Sequence, residues 1–352
     1  MSRISALRLA MFRSHRDLRL NFDGRPVAIW GPNGAGKTNI LEAVSLLSPG
    51  RGLRGVQASD IARRDAGAGW KVAAVLDGHE LETWAESNSR EVRIDGKPAT
   101  QSALGGVARV VWLVPSMDRL WIEAPEGRRR FLDRLVLSLR PDHAEASVAY
   151  ERAMRERNRM LRDGVSDAGW YGLIEARMAD AGSRITAARQ DVLARLQAAQ
   201  IDGAFPAARL TLDPGPGAED LALALAQGRR QEIQAGRSLS GPHRADLHAT
   251  WAAKDMPAAL CSTGEQKALL VSLVLSSARA VAEVAGSAPL LLLDEVAAHL
   301  DPGRRAALHD EICALGIQAF MTGTEAALFD TLGSRAQELV LDGQGGISQG
   351  DR

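Results

Sequence analysis

Two cysteines in 352 residues, Cys261 and Cys313, exclude a disulfide framework and agree with a reducing compartment, where both read as core thiols. No His/Cys grouping has zinc spacing, and no Ser/His/Asp grouping marks an acyl-transfer site. The best apolar helix candidate, around Ala268 to Ala278, falls short of the roughly 20 residues a membrane span requires. The first residues alternate like a strand with interleaved Arg, unlike a secretory leader. Net charge is missing too: 43 basic residues balance 43 acidic ones, so no global field draws the chain to nucleic acid. Lysine is scarce, confined to positions 37, 71, 97, 254 and 267, and arginine carries nearly all the positive charge. Internal repeats and low-complexity tails are absent. What remains is ordinary globular composition, 45% hydrophobic and 24% charged, on a chain long enough for two lobes. It is expected in the cytoplasm, without a membrane.

Against that plain background one segment stands out. Gly31-Pro32-Asn33-Gly34-Ala35-Gly36-Lys37-Thr38 is a complete phosphate-binding loop. The apolar run Val27 to Trp30 before it suits a buried strand. Ile40, Leu41, Val44 and Leu47 behind it recur at helical spacing. Gly34 and Gly36 let the backbone curl so that successive N–H groups face one phosphate at the positive end of the new helix. Lys37 would reach the outer phosphates, the Thr38 hydroxyl would take a place on Mg²⁺, and Asn39 completes the nucleotide set. The ligand expected is ATP with Mg²⁺.

Far downstream, 257 residues after Lys37, the run Leu290 to Leu293 ends in Asp294 and Glu295. Continuous aliphatic sequence marks a strand buried on both faces, and acids at its carboxyl end emerge where α/β sheets bind ligands. Asp294 suits Mg²⁺, directly or through water. Glu295 suits orientation or deprotonation of an attacking water. Between the two motifs lies Cys261-Ser262-Thr263-Gly264-Glu265-Gln266, ahead of a long apolar helix. Alone, this is also an ordinary helix cap.

In that order the three motifs resemble those of the ABC-type ATPases, whose signature segment usually reads Leu-Ser-Gly-Gly-Gln. The resemblance implies that Ser262, Gly264 and Glu265 of one subunit complete the ATP site of the other. Asp301, last in the stretch from Asp294, would lie near the partner. The N-terminal alternation, Leu7-Arg8-Leu9 through Phe12-Arg13-Ser14 to Leu18-Arg19-Leu20-Asn21-Phe22, is similar to that of chromosome-maintenance and recombination ATPases. Glu126-Gly127-Arg128-Arg129-Arg130-Phe131-Leu132-Asp133, Gly241-Pro242-His243-Arg244-Ala245-Asp246-Leu247 and Gly50-Arg51-Gly52-Leu53-Arg54 resemble segments of one family, the bacterial RecF DNA replication and repair proteins. That resemblance implies an ATP-driven homodimer that clamps duplex, gapped or single-stranded DNA. It also implies work with RecR and RecO in bringing RecA to gaps, in recombinational repair and the SOS response. Val110 to Val114 lacks the Gln of many relatives, and Thr322-Gly323-Thr324 stands where many place a His. Slow, DNA-dependent hydrolysis is therefore expected. The alternatives are a transporter-type ATPase subunit and an ATP-gated scaffold.

The fold expected is α/β: an ABC-type ATPase head with mixed β-sheet, split by an inserted helical lobe. Residues 1–115 would form the first part of the head, 116–204 the lobe, and 205–352 the second part of the head. Strand signals lie at Trp70 to Leu76, Glu80 to Glu86 and Val92 to Ile94, the last before an Asp95-Gly96 turn. Breaks at Arg140-Pro141 and Asp163 to Gly169 divide the lobe into about three helices. From Glu126 to Asp163 ten Arg face seven acids, which suits either DNA phosphate or a helix face laced with ion pairs. Arg51, Arg54, Arg63 and Arg64 form a second cluster, for DNA or for loop solvation. His243 with Arg244 and Asp246 suits either a polar network linking the lobes or a contact to the partner subunit.

Overall fold

The computed structural model describes residues 2–63, 69–201, 203–343 and 346–351. Arg64 of the second arginine cluster lies outside them. The chain opens with strands β1 (Ile4–Phe12), β2 (His15–Asn21) and β3 (Val27–Trp30), and the phosphate-loop helix α1 (Lys37–Ser45). Strands β4 (Trp70–Leu76), β5 (His79–Ala85), β6 (Glu91–Ile94) and β7 (Lys97–Ala99), a short helix α2 (Leu104–Val107) and β8 (Val110–Leu113) follow. Helices α3 (Pro125–Leu139), α4 (His143–Arg162) and α5 (Ala168–Ala198) come next, then β9 (Ala208–Asp213) and α6 (Leu221–Ala235). The return is made by β10 (Asp246–Trp251), β11 (Met256–Pro257), α7 (Thr263–Ala285), β12 (Leu290–Leu293), α8 (Pro302–Ala314), β13 (Ala319–Gly323), β14 (Gln337–Leu341) and β15 (Ile347–Asp351).

Three sheets result. The antiparallel sheet β2-β1-β4-β5-β6-β7 is stitched by tight turns at Asp77-Gly78 and Asp95-Gly96, where both residues of each pair take the positive φ that such hairpins need. The central sheet runs β15-β14-β3-β13-β12-β8, parallel except for β15. A small third sheet, β11-β10-β9, lies beside the helices.

The four leucines of β12 sit between two parallel neighbours and are all buried, so the strand carries apolar side chains on both faces. Period-two alternation sorts them. Leu291 and Leu293 join Val111, Leu113 and Met321 in a core with α3, α7 and the C-terminal half of α5. Leu290 and Leu292 join Val110, Trp112 and Phe320 in a second core with α1 and the antiparallel sheet. A third, smaller core forms where α4, α5 and α6 pack, around Tyr150, Met178, Ile185 and Leu225.

The expectation that the apolar helix is too short for a bilayer does not hold. α7 runs 23 residues, with a window of mean hydropathy 1.7, because the apolar sequence continues past Ala278 through Val281 and Val284 to Ala285. Burial decides instead: 72% of that window is buried within the fold, against α3, α5 and β8, so α7 is a core helix.

Candidate nucleotide-binding site

The parallel order β3-β13-β12 brings three carboxyl ends side by side. β3 delivers the phosphate loop, β13 delivers Thr322, and β12 delivers Asp294 and Glu295. Gly31 has φ +148, and a Cβ there would meet the Leu341 carbonyl oxygen at 2.1 Å, so only glycine lets the loop leave β3 beneath β14. Gly34 and Gly36 have φ +82 and +98. Gly36 caps α1 without a side chain, and the first turn holds no acid, so its N–H groups stay open to an anion.

Lys37 is buried and donates to the carbonyl oxygens of Gly31 (2.6 Å) and Pro32 (3.0 Å), which holds its ammonium within the loop. Burial lowers its pKa; the charges of Glu295 and Asp294 work against that shift. The Thr38 hydroxyl donates to both oxygens of Asp294, at 3.0 and 3.1 Å. Thr322 donates to Asp294 Oδ1 at 2.7 Å and accepts from the Glu295 amide at 2.9 Å. Glu295 has φ +54, a backbone region costly for a residue with a side chain, and that amide bond helps to hold it there. Hydroxyl and carboxylate oxygens suit Mg²⁺. Two protein oxygens match an ion that keeps waters and shares phosphate oxygens, and no group of three acids, His or Cys forms a cation site among the described residues.

Lys37, Thr38, Asp294 and Glu295 thus lie together at the carboxyl ends of β3 and β12. The other expected residues have separate settings. Asn39 turns to the β1–β2 turn, donating to Ser14 Oγ at 2.7 Å and accepting from Arg54. Ser262 and Glu265 form a capping box at the start of α7: the Ser262 amide and hydroxyl donate to Glu265 Oε2 at 2.8 and 2.9 Å. Lys254 pairs with Glu265 and, with these bonds, holds its carboxyl down at about 2. Asp301 caps α8 by accepting from the Arg304 amide at 2.9 Å. None of Ser262, Gly264, Glu265 and Asp301 bonds to the phosphate loop among the described residues.

Sequence reasoning passed over the turn at Ser14-His15. A Cβ on Gly36 would come within 2.7 Å of Ser14 Oγ and 3.0 Å of His15 Nε2, so this turn backs the phosphate loop. Burial lowers the His15 pKa. On α1 itself, Glu42 is buried and takes a bidentate bond from Arg13 (2.9 and 2.6 Å) and one from Arg54 (2.7 Å). The interleaved polar triplet Arg13-Ser14-His15 between two alternating strands was the available signal.

The family-like segments also find their setting. Arg128 on α3 grips Asp246 through two bonds, 2.7 and 2.9 Å, and Arg129 donates to the Ala245 carbonyl. Asp133 accepts from Arg189 and His143, and Arg189 reaches on to the Pro242 carbonyl. Tyr150 bonds His243 at 2.7 Å. These residues staple α3, α4 and α5 to the 241–246 segment.

Loop, acids and parallel sheet define an ATPase head of the ABC type, and residues 3–340 match the family described as RecF/RecN/SMC N terminal domain. A solved structure of the recombination mediator protein RecF with ATP, of the RecFOR pathway, has a TM-score of 0.86 at 21% identity, over 99% of this chain and 97% of that one. An Smc head domain with extended coiled coil, bound to the C-terminal domain of ScpA and derived from Pyrococcus furiosus, gives 0.56 at 18% identity, over 100% and 97%. The DNA replication and repair protein RecF of Rhizobium meliloti is 48% identical over 96% of each chain, and that of Mesorhizobium japonicum 47% over 96% of each. The chain belongs to the RecF family of DNA replication and repair proteins.

Proposed function

We propose that the chain binds ATP with Mg²⁺ at this site, and that ATP joins two copies head to head as a clamp on DNA near single-strand gaps. The observation that carries the reading is the Thr38–Asp294 contact at 3.0 Å, which unites loop and acid across 256 residues of sequence. The loop amides and Lys37 would hold the phosphates. Thr38 and Asp294 would hold Mg²⁺, which supplies charge neutralisation on the phosphates. Glu295 would orient and deprotonate the attacking water. Ser262 and Gly264 of the partner subunit would close the site, with Glu265 and Asp301 at the same interface. Thr322 carries no group that accepts a proton at neutral pH, which supports slow turnover and a timing role. By family, the clamp would act with RecR and RecO in bringing RecA to gaps, where recombinational repair and the SOS response begin.

Binding of labelled gapped duplex with ATP, with ADP and without nucleotide tests the reading. Much tighter binding is expected with ATP than with ADP or without nucleotide, and Lys37→Ala removes that gain. Each charged hydrogen bond lost contributes about 1.5–3 kcal/mol, so ATP affinity should fall on the order of a hundredfold or more. Equal DNA binding in all three states would reject the clamp.

A further inference from the structure

The arginine run of the inserted lobe separates into two sets once folded. Arg128, Arg129 and Arg157 turn inward: Arg128 to Asp246, Arg129 to the Ala245 carbonyl, and fully buried Arg157 to Glu175 and Ser238. Arg152, Arg155, Arg159 and Arg162 do not. All four are exposed on α4, and at 3.6 residues per turn they fall within roughly 80° of arc. The opposite face of α4, with Tyr150, Arg157 and Leu161, is buried. Arg155 has a loose partner in Glu151 at 3.5 Å, while Arg152, Arg159 and Arg162 have no ion pair among the described residues. Together they line an open groove with Glu156 and Asn158. In a chain of zero net charge, four exposed guanidiniums of which three have no ion pair among the described residues make a local positive field.

We propose that this ridge binds the sugar-phosphate backbone of duplex DNA, as a contact outside the ATP-gated clamp and independent of nucleotide. Ten residues of helix rise about 15 Å, which sets one guanidinium about every 5 Å along a straight line. Planar forks at that spacing suit the regular phosphates of a rigid duplex. The groove has no aromatic side chain on its lining, so it lacks the stacking platform that single-strand binders use. It has no apolar side chain either, so it lacks the centre that a folded protein partner would cover. α4 packs against α3, α5 and α6, away from the phosphate loop.

The test uses the full chain carrying Arg152→Gln, Arg159→Gln and Arg162→Gln together, with a matched triple Lys variant. Affinity for a labelled blunt duplex is measured with ADP and with ATP, across roughly 50 to 200 mM salt. Three lost phosphate contacts should lower the slope of log affinity against log salt by about 2 to 3 in both nucleotide states. The Lys variant should keep the slope, and ATP binding and melting should match the wild type. An unchanged slope and affinity with ADP overturns the proposal. Duplex bound only with ATP, equally by wild type and Gln variant, also overturns the ridge while leaving the clamp standing. Loss of clamp behaviour in the wild type, with the ADP slope still falling in the variant, supports the ridge and rejects the clamp alone.

Discussion

Thr322 donates its proton to Asp294 and accepts the amide proton of Glu295, so one hydroxyl fixes both acids. Thr322→Val keeps the shape and removes both bonds, leaving a buried carboxylate oxygen and an amide short of partners. A loss of about 1–3 kcal/mol in stability is expected, with turnover lowered more than ATP affinity. Thr322→Ser should restore turnover, and thermal melting alongside steady-state kinetics checks both. Glu295→Gln should bind ATP as the parent does and fail to hydrolyse it; normal turnover in that variant would remove Glu295 from its role. At this scale the loop and the acids were legible because each is a contiguous motif whose chemistry is local. The bonding of Thr322 was not, since it depends on Leu293 standing opposite Met321 in the β12–β13 register. Nor was His15, whose approach to Gly36 requires the antiparallel sheet to fold over the loop.

Helix α3, with the C-terminal half of α5, joins the inserted helices to the head. Arg128–Asp246 is its most buried ion pair there, and removing one partner strands the other. Arg128→Ala should cost about 3–5 kcal/mol, read by denaturant unfolding. Asp133 gives the same junction an acid limit. Burial alone would push its carboxyl up, but the His143 hydrogen bond and the Arg189 guanidinium outweigh that and hold it at about 2. A depressed folded value means the stabilisation is complete above roughly pH 4 and is lost as pH falls toward about 2. The melting temperature of the wild type should therefore fall more steeply below about pH 4 than that of Asp133→Asn. The sequence marked the breaks between α3, α4 and α5 because Pro141 and the Asp163 to Gly169 stretch interrupt a clear helical period. It gave no such signal for α6, whose Leu221, Leu223 and Leu225 alternate like a strand; only Leu221 and Leu225 are buried, one turn apart.

For the molecule as a whole, the order of the motifs along the chain already implied an ATPase head, and the central sheet unites loop and acids at the carboxyl ends of its interior strands. How two heads meet is a property of surfaces, which no motif spells out. Sedimentation of Glu295→Gln should give a dimer with ATP and a monomer with ADP; a monomer in both would reject ATP as the adhesive. One element bears on what such closure does elsewhere. α5 is a single helix of 31 residues, about 46 Å long. Tyr171, Ile174 and Met178 seal the outer helical core, while Val192, Leu193 and Leu196 seal the core shared with α3 and α7. A rod embedded at both ends is a lever without a joint. Tilting it by about 10° about its head end sweeps its far end through roughly 8 Å, and α4 rides on that end. Head closure would carry whatever the ridge holds through the same arc, a change of place that leaves the arginine row itself unaltered.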